Sequence, residues 1–171
     1  HHAALVVMHT AAPPKTRLQA SDLYGDVVAD VGAFLAAKVA EAVALGVAAD
    51  SIIVDPGPDF TKTPAQTVEV LRHLRDLNPD GLPTLLAISR KDFVGALTLT
   101  RPRERLAGTL AAVAAVGSGS GVILRVHDVA EVRRFLTVLD VLGDDTPVDP
   151  ELRLADELRW AAGRPDGTTA T

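Results

Sequence analysis

The chain has 171 residues, long enough for one domain with a sizeable core. A net charge of −5 argues against non-specific binding of nucleic acid or of an anionic membrane, and the absence of cysteine excludes disulfides and thiolate metal sites. Residues are 47% hydrophobic but only 4% aromatic, so the core must be Ala, Val and Leu; no apolar run approaches the ~20 residues of a membrane span.

His1-His2 leads directly into the apolar run Leu5-Val6-Val7-Met8, which ends on His9-Thr10. Such short continuous runs fit a strand buried on both faces of a parallel sheet. A chain that starts inside a core strand is expected to be a piece of something longer, or to carry the two histidines as an artificial leader. Residues 11–21 form a Pro-bearing loop with Lys15 and Arg17. Asp22 is expected to cap a long helix whose apolar positions, Val27 to Val43, follow helical spacing until Gly46 stops it.

The next stretch organises the rest. Ile52-Ile53-Val54 reads as a strand that stops on Asp55, and Pro56-Gly57-Pro58 lets neither helix nor strand continue. Thr63-Pro64 reads as an N-cap followed by proline at the first helical position, opening a helix over 64–77. Asp55 therefore lies where a strand emerges before a helix, the usual ligand-binding rim of parallel α/β proteins.

Thr84 to Ile88 is the third apolar run and ends on Ser89-Arg90-Lys91, with a short helix starting at Asp92-Phe93. Pro102 opens another helix with Leu106, Leu110 and Val113 inward, and residues 117–121 read as a flexible link. Val122-Ile123-Leu124 is the fourth run, ending on Arg125-Val126-His127-Asp128. Asp128 with Glu131 resembles a capping box for a helix carrying Val132, Phe135, Leu136 and Leu139. Asp149-Pro150 is expected to start a last helix reaching Trp160, before a disordered tail.

Strand and helix alternate, which implies parallel crossovers. A closed (β/α)8 barrel needs about 250 residues, so the pattern reads as half a barrel or a small open α/β sheet. The strand ends gather Met8, Asp55, Ser89, Lys91, Arg125 and His127 at one rim. Arg125 and His127 are two apart and leave the strand on one face, suiting an anion that the Arg fork grips through two hydrogen bonds. The competing reading is a rim of ion pairs in which Asp55 or Asp128 neutralises the cations.

Asp55-Pro56-Gly57 with Phe60 and Lys62-Thr63, then Ser89-Arg90-Lys91, then Arg125-Val126-His127-Asp128-Val129, resemble dihydropteroate synthase in order and spacing. So does the Val7-Met8-His9 strand with its Pro-Pro-Lys-Thr loop. The resemblance runs from about residue 4 to about residue 142 and covers the last four βα units of that family's TIM (β/α)8-type barrel. It implies one unit over 1–145 and an appended helix and tail over 146–171.

The family, a transferase of folate biosynthesis, joins a pterin methyl diphosphate to p-aminobenzoate and releases pyrophosphate. The resemblance implies that Asp55 accepts from pterin N–H groups, that Lys91 meets the pterin carbonyl side, and that Arg125 and His127 hold the diphosphate. Met8 and Phe60 would contact ring faces, while Leu85 and Ser89 would line the substrate. It further implies a cytoplasmic homodimer joined through residues 102–117 and 128–142, with neither nucleic acid nor membrane as partner. The family's magnesium and its asparagine ligand belong to the N-terminal half, so no metal ligand is expected here and the chain alone is expected to be inactive. An alternative is a non-catalytic pterin- or phosphate-binding scaffold or partner subunit.

Three positions depart from the family. Asp59 and Thr61 stand where glycines usually flank the phenylalanine, and a Cβ there is expected to obstruct close backbone approach to a ligand. Asp92 replaces the usual serine near the p-aminobenzoate carboxylate; two like charges ~4 Å apart cost ~4 kcal/mol at an effective dielectric of 20.

Overall fold

A computed structural model of the chain describes residues 3–13, 16, 18–78, 80–117, 121–143 and 147–159. The sheet has four strands, β1 (Leu5–Met8), β2 (Ile52–Asp55), β3 (Thr84–Leu86) and β4 (Val122–Leu124), all parallel. Their order in space is their order in sequence. A doubly wound sheet reverses its strand order at a switch point; this one does not, so the half-barrel reading holds over the small open sheet. Neither outer strand has a partner beyond it among the described residues, and Leu5, Val6 and Ile123 on those strands are exposed.

The helices are α1 (Val27–Ala44), α2 (Pro64–Arg72), α3 (Asp92–Thr98), α4 (Leu106–Val116) and α5 (Val129–Gly143). Two clusters join them to the sheet. Val27, Val31 and Leu35 of α1 meet Val54 of β2, Val70 of α2 and Leu77. Leu86 of β3 and Ile88 meet Phe93 and Val94 of α3, Val113 of α4 and Val132 of α5. Leu74 packs against both, so the core is continuous on the helical face of the sheet. The chain divides into two compact units, His1–Leu136 and Thr137–Thr171.

Several boundaries differ from the sequence pattern for local reasons. Asp26 rather than Asp22 caps α1, accepting from Val28 N and Ala29 N. Helix α2 opens as expected, with a reciprocal Thr63–Gln66 box and Pro64 at its start. It stops at Arg72, not residue 77, because the His73 ring Nδ1–H donates to Glu69 O at 2.9 Å and takes the place of the helical amide. Leu77 stays in the core from the turn that follows. Pro102–Glu104 forms a separate 3₁₀ turn ahead of α4. The helix expected from Asp149 is one 3₁₀ turn at Asp156–Leu158. Residues 147–159 are all exposed, and a short helix with no buried face is marginal in water. Lys15, Arg17, the centre of the 117–121 link, Trp160 and the tail lie outside the described residues.

Candidate functional site

The strand register assembles the floor of the site. Met8 pairs with Asp55, Val54 pairs with Thr84, so Asp55 falls beside Leu85 one residue on, and Leu85 pairs with Ile123. Val7, Val54, Leu86 and Leu124 pack toward the helices. Alternation therefore sets Met8, Asp55, Leu85 and Ile123 on the opposite face, side by side. Two residues further along the chain come Ala87 and Arg125, then Ser89 and His127. Together with Lys91 these four line one small cavity of about 140 Å³.

Asp55 is 4% exposed. Its Oδ1 accepts from Gly57 N at 2.8 Å. Burial raises its pKa, and the Gly57 bond with the charges of Lys91, Lys62 and Arg125 works the other way. The turn that follows requires glycine at 57: φ is +64°, and a Cβ there would lie 2.1 Å from His9 O. Lys91 donates to Pro58 O at 3.0 Å, and its Nζ sits 4.2 Å above the Phe60 ring. Burial lowers the Lys91 pKa against the pull of Asp59 and Asp55.

Asp59 and Thr61 carry left-handed backbones, with φ of +61° and +53°. Glycine suits these two positions for its backbone freedom, and the reason given above, clearance for a ligand, is not needed to explain it. Here both side chains have their own partners. Asp59 Oδ2 accepts from the first amides of α3, Asp92 N at 2.5 Å and Phe93 N at 3.3 Å, and Oδ1 accepts from Thr67 Oγ1 at 3.1 Å. It caps a helix whose own N-cap, Lys91, supplies no side-chain bond. Thr61 Oγ1 accepts from Ala11 N at 3.0 Å, lies 2.9 Å from Tyr24 Oη and so ties the loops after β1 and β2 together.

The remaining charges sort into pinned and free. Arg90 grips Asp128 with both Nε and Nη2, the Nε contact being 3.0 Å. Arg105, buried against Gly95 of α3, donates to Thr100 O, Arg90 O and Asp92 Oδ1 at 3.1, 2.8 and 3.0 Å. Asp92 thus has a cationic partner, which weakens the like-charge argument made from its sequence position. Ser89 Oγ lies 3.1 Å from His127 Nδ1 and accepts from His127 N at 3.2 Å. Arg125 is exposed and its side chain has no hydrogen bond or ion pair among the described residues. The ion-paired-rim reading therefore applies directly to Arg90 with Asp128, while the Arg125 charge acts on Asp55 without a direct ion pair among the described residues.

A second cavity, of about 450 Å³, opens beside the first, with Met8, Thr10, Phe60, Lys91 and Asp92 in its wall. Lys91 lines both cavities. Among the described residues no three His, Asp or Glu side chains come together to hold a metal ion. Sequence reasoning gave no role to Lys62, Arg105 or the Thr61–Tyr24 pair. Some of their partners, His9 for Lys62, Arg90 and Asp92 for Arg105, and Tyr24 for Thr61, lie 13 to 53 residues away, and nothing in the local pattern announces those.

Four consecutive parallel βα units with a cation-lined cavity at the strand ends define part of a (β/α)8-type barrel. Residues 1–127 match the model of the pterin binding enzyme family. The chain belongs to that family. It is 38% identical to a dihydropteroate synthase of Synechocystis over 143 residues, 83% of this chain and 49% of that one. It is 40% identical to the inactive dihydropteroate synthase 2 of Mycobacterium leprae over 141 residues, 80% of this chain and 48% of that one. Its structure superposes on Xanthomonas albilineans dihydropteroate synthase in complex with 7,8-dihydropteroate with a TM-score of 0.72 and 36% identity, covering 84% of this chain and 52% of that chain. The chain spans about half the length of the curated relatives it matches. Among the described residues no helix is long and apolar enough to cross a membrane.

Proposed function

We propose that this chain carries the diphosphate-binding half of a dihydropteroate synthase-type site. In this reading a pterin edge lies on the Asp55 row, because a carboxylate offers only acceptors to ring N–H groups. Lys91 meets the pterin carbonyl side, with Met8, Leu85 and Phe60 along the rings and Ser89 orienting His127. The diphosphate lies against Arg125 and His127. As the C–O bond of the pterin methyl diphosphate breaks, negative charge grows on the departing pyrophosphate, and donors already in place there favour the transition state over the ground state. The electron-rich pterin carries the cation left behind, so no protein nucleophile is needed. p-Aminobenzoate would approach from the larger cavity beside Phe60.

The observation that carries this reading is the cavity that Arg125 shares with Lys91 and His127, two residues beyond the Asp55 row, with Arg125 making no hydrogen bond or ion pair among the described residues. The test is calorimetric titration of pyrophosphate. Millimolar affinity, about −4 kcal/mol, is expected. If Arg125→Ala binds equally well, the site assignment fails. Turnover by the 171-residue chain alone, lost in Arg125→Ala, would overturn the expectation that the half-site is inactive.

A second reading, a non-catalytic pterin- or phosphate-binding subunit, is favoured by the inactive relative named above. Full-length family activity would need magnesium and an N-terminal half. We treat residues 1–145 as the family domain, 146–171 as an appendage, and the protein as cytoplasmic. Self-association is the expected state. An apolar hollow of about 310 Å³ on α2, α3 and α4 has Leu71, Val94 and the exposed Leu97 in its wall, and exposed apolar surface of this kind marks interfaces. A monomer in sedimentation at high concentration would count against it.

A further inference from the structure

Lys62 has no part in the mechanism above, yet its side chain is wholly buried. Removing an ammonium from water costs several kcal/mol, and an apolar residue of similar length would avoid that cost. The reason lies in its partners. Nζ is 2.8 Å from His9 Nδ1, 3.1 Å from Gly57 O and 3.2 Å from Phe60 O. An ammonium has three protons and accepts nothing, so each proton has one acceptor. His9 Nδ1 must therefore present its lone pair, and the ring proton belongs on Nε2.

The two carbonyls bracket the turn that aims the site. Gly57 O also accepts from Phe60 N at 3.1 Å, closing the turn over 57–60. The Gly57 amide, on the other side of the same residue, holds Asp55 Oδ1. The ring of Phe60, whose carbonyl Lys62 binds, lies under Lys91. The turn is thus held by one lysine from the core and by another, through Pro58 O, from the mouth. We propose that Lys62 is a positioning residue: its buried ammonium fixes the 56–61 turn so that Asp55 and Phe60 face the mouth, and fixes His9 as the Nε2–H tautomer. This rests on the reading of Asp55 as the pterin-binding carboxylate.

The charges around Lys62 act in both directions. Burial lowers its pKa to about 8, while Asp55 and Asp59 oppose that fall and Lys91 adds to it. His9, facing Lys62, Tyr24 and Phe34, is lowered to about 4 by burial and by the Lys62 charge. Arg125 reaches the group through its interaction with Asp55, and Tyr24 through Thr61. Loss of one Lys62 proton leaves two donors and a lone pair, so at alkaline pH the two carbonyls can keep their donors only if His9 turns its ring proton to Nδ1.

The experiment compares wild type with Lys62→Met by NMR, with 15N-His and 13C-carboxyl labelling, and by binding of 6-hydroxymethylpterin and of pyrophosphate. In Lys62→Met, the His9 midpoint rises above its wild-type value, the Asp55 carboxyl titrates higher still, and Gly57 amide exchange quickens about tenfold, the loss of one net hydrogen bond. Pterin affinity falls by a similar factor and pyrophosphate affinity is unchanged. Loss of the Lys62 charge by itself raises the Asp55 midpoint, but a purely structural role would lower stability and leave Gly57 exchange and pterin affinity in the folded protein where they were. A folded Lys62→Met with wild-type Gly57 exchange and pterin affinity overturns the proposal. If the wild type binds no pterin, the proposed function fails, while the titrations and exchange still decide the role of Lys62. If Lys62→Met does not fold, wild type alone suffices: 15N-His spectra at pH 7 must show His9 with a bare Nδ1 and a protonated Nε2, and a proton on Nδ1 overturns the proposal.

Discussion

Replacing Asp59 by glycine sets two effects of similar size against each other. The left-handed φ of +61° favours glycine, by about 1 kcal/mol over a residue with a Cβ. Against this stand the carboxylate's bonds to two α3 amides and the Thr67 hydroxyl. Loss of a helix cap costs about 0.5–2 kcal/mol, and hydrogen bonds to a charged acceptor about 1.5–3. Asp59→Gly should therefore be less stable than wild type by about 1–2 kcal/mol. Asp59→Ala loses the same bonds without the backbone relief and should be worse by about 1 kcal/mol more. Asn keeps an acceptor oxygen and tolerates the left-handed region, so Asp59→Asn should lie closest to wild type. Urea unfolding at pH 7 with constant m reads the series directly. If Asp59→Gly is more stable than wild type, backbone strain outweighs the bridge and the capping role is wrong.

Gly57→Ala should be far more damaging, about 3 kcal/mol or more, because φ is +64° and the new Cβ would meet the His9 backbone carbonyl, which cannot yield as a side chain could; a near-normal unfolding midpoint would refute this. His9 gives a pH signature. Its pKa is about 4 in the fold against 6.5 for the free side chain, so between those values the unfolded chain binds a proton that the folded chain does not, and stability falls as pH drops through that window, by about 3 kcal/mol in total from this group. Asp55 and Asp59, both raised by burial, act oppositely in the acid part of the range, so the net slope is shallower. In His9→Gln the loss from pH 6.5 to pH 4.5, read from urea midpoints, should shrink or reverse; an unchanged slope removes His9 as its source. Arg105→Met should cost about 2–4 kcal/mol by leaving the Arg90 and Thr100 carbonyls without their donor, measured by thermal unfolding, and a change under 0.5 kcal/mol would show that water replaces the guanidinium.

What the sequence by itself determined is what periodicity and neighbouring residues control. The four strands, the Thr63-Pro64-Gln66 helix start and the shared face of Arg125 and His127 follow from alternation and from bonds spanning three or four residues. The rim position of Asp55 follows from where an apolar run meets Pro-Gly-Pro. Only the tertiary structure decided which charges are free. Arg90 and Lys91 are adjacent in sequence, yet Arg90 is pinned by Asp128 while Lys91 reaches Pro58 O and lines both cavities. Asp59 caps a helix that begins 33 residues later, and Lys62 meets a histidine 53 residues earlier. Such pairings depend on strand register and on the order of strands in the sheet. Those are fixed by burial of the whole apolar face at once, so no local pattern encodes them.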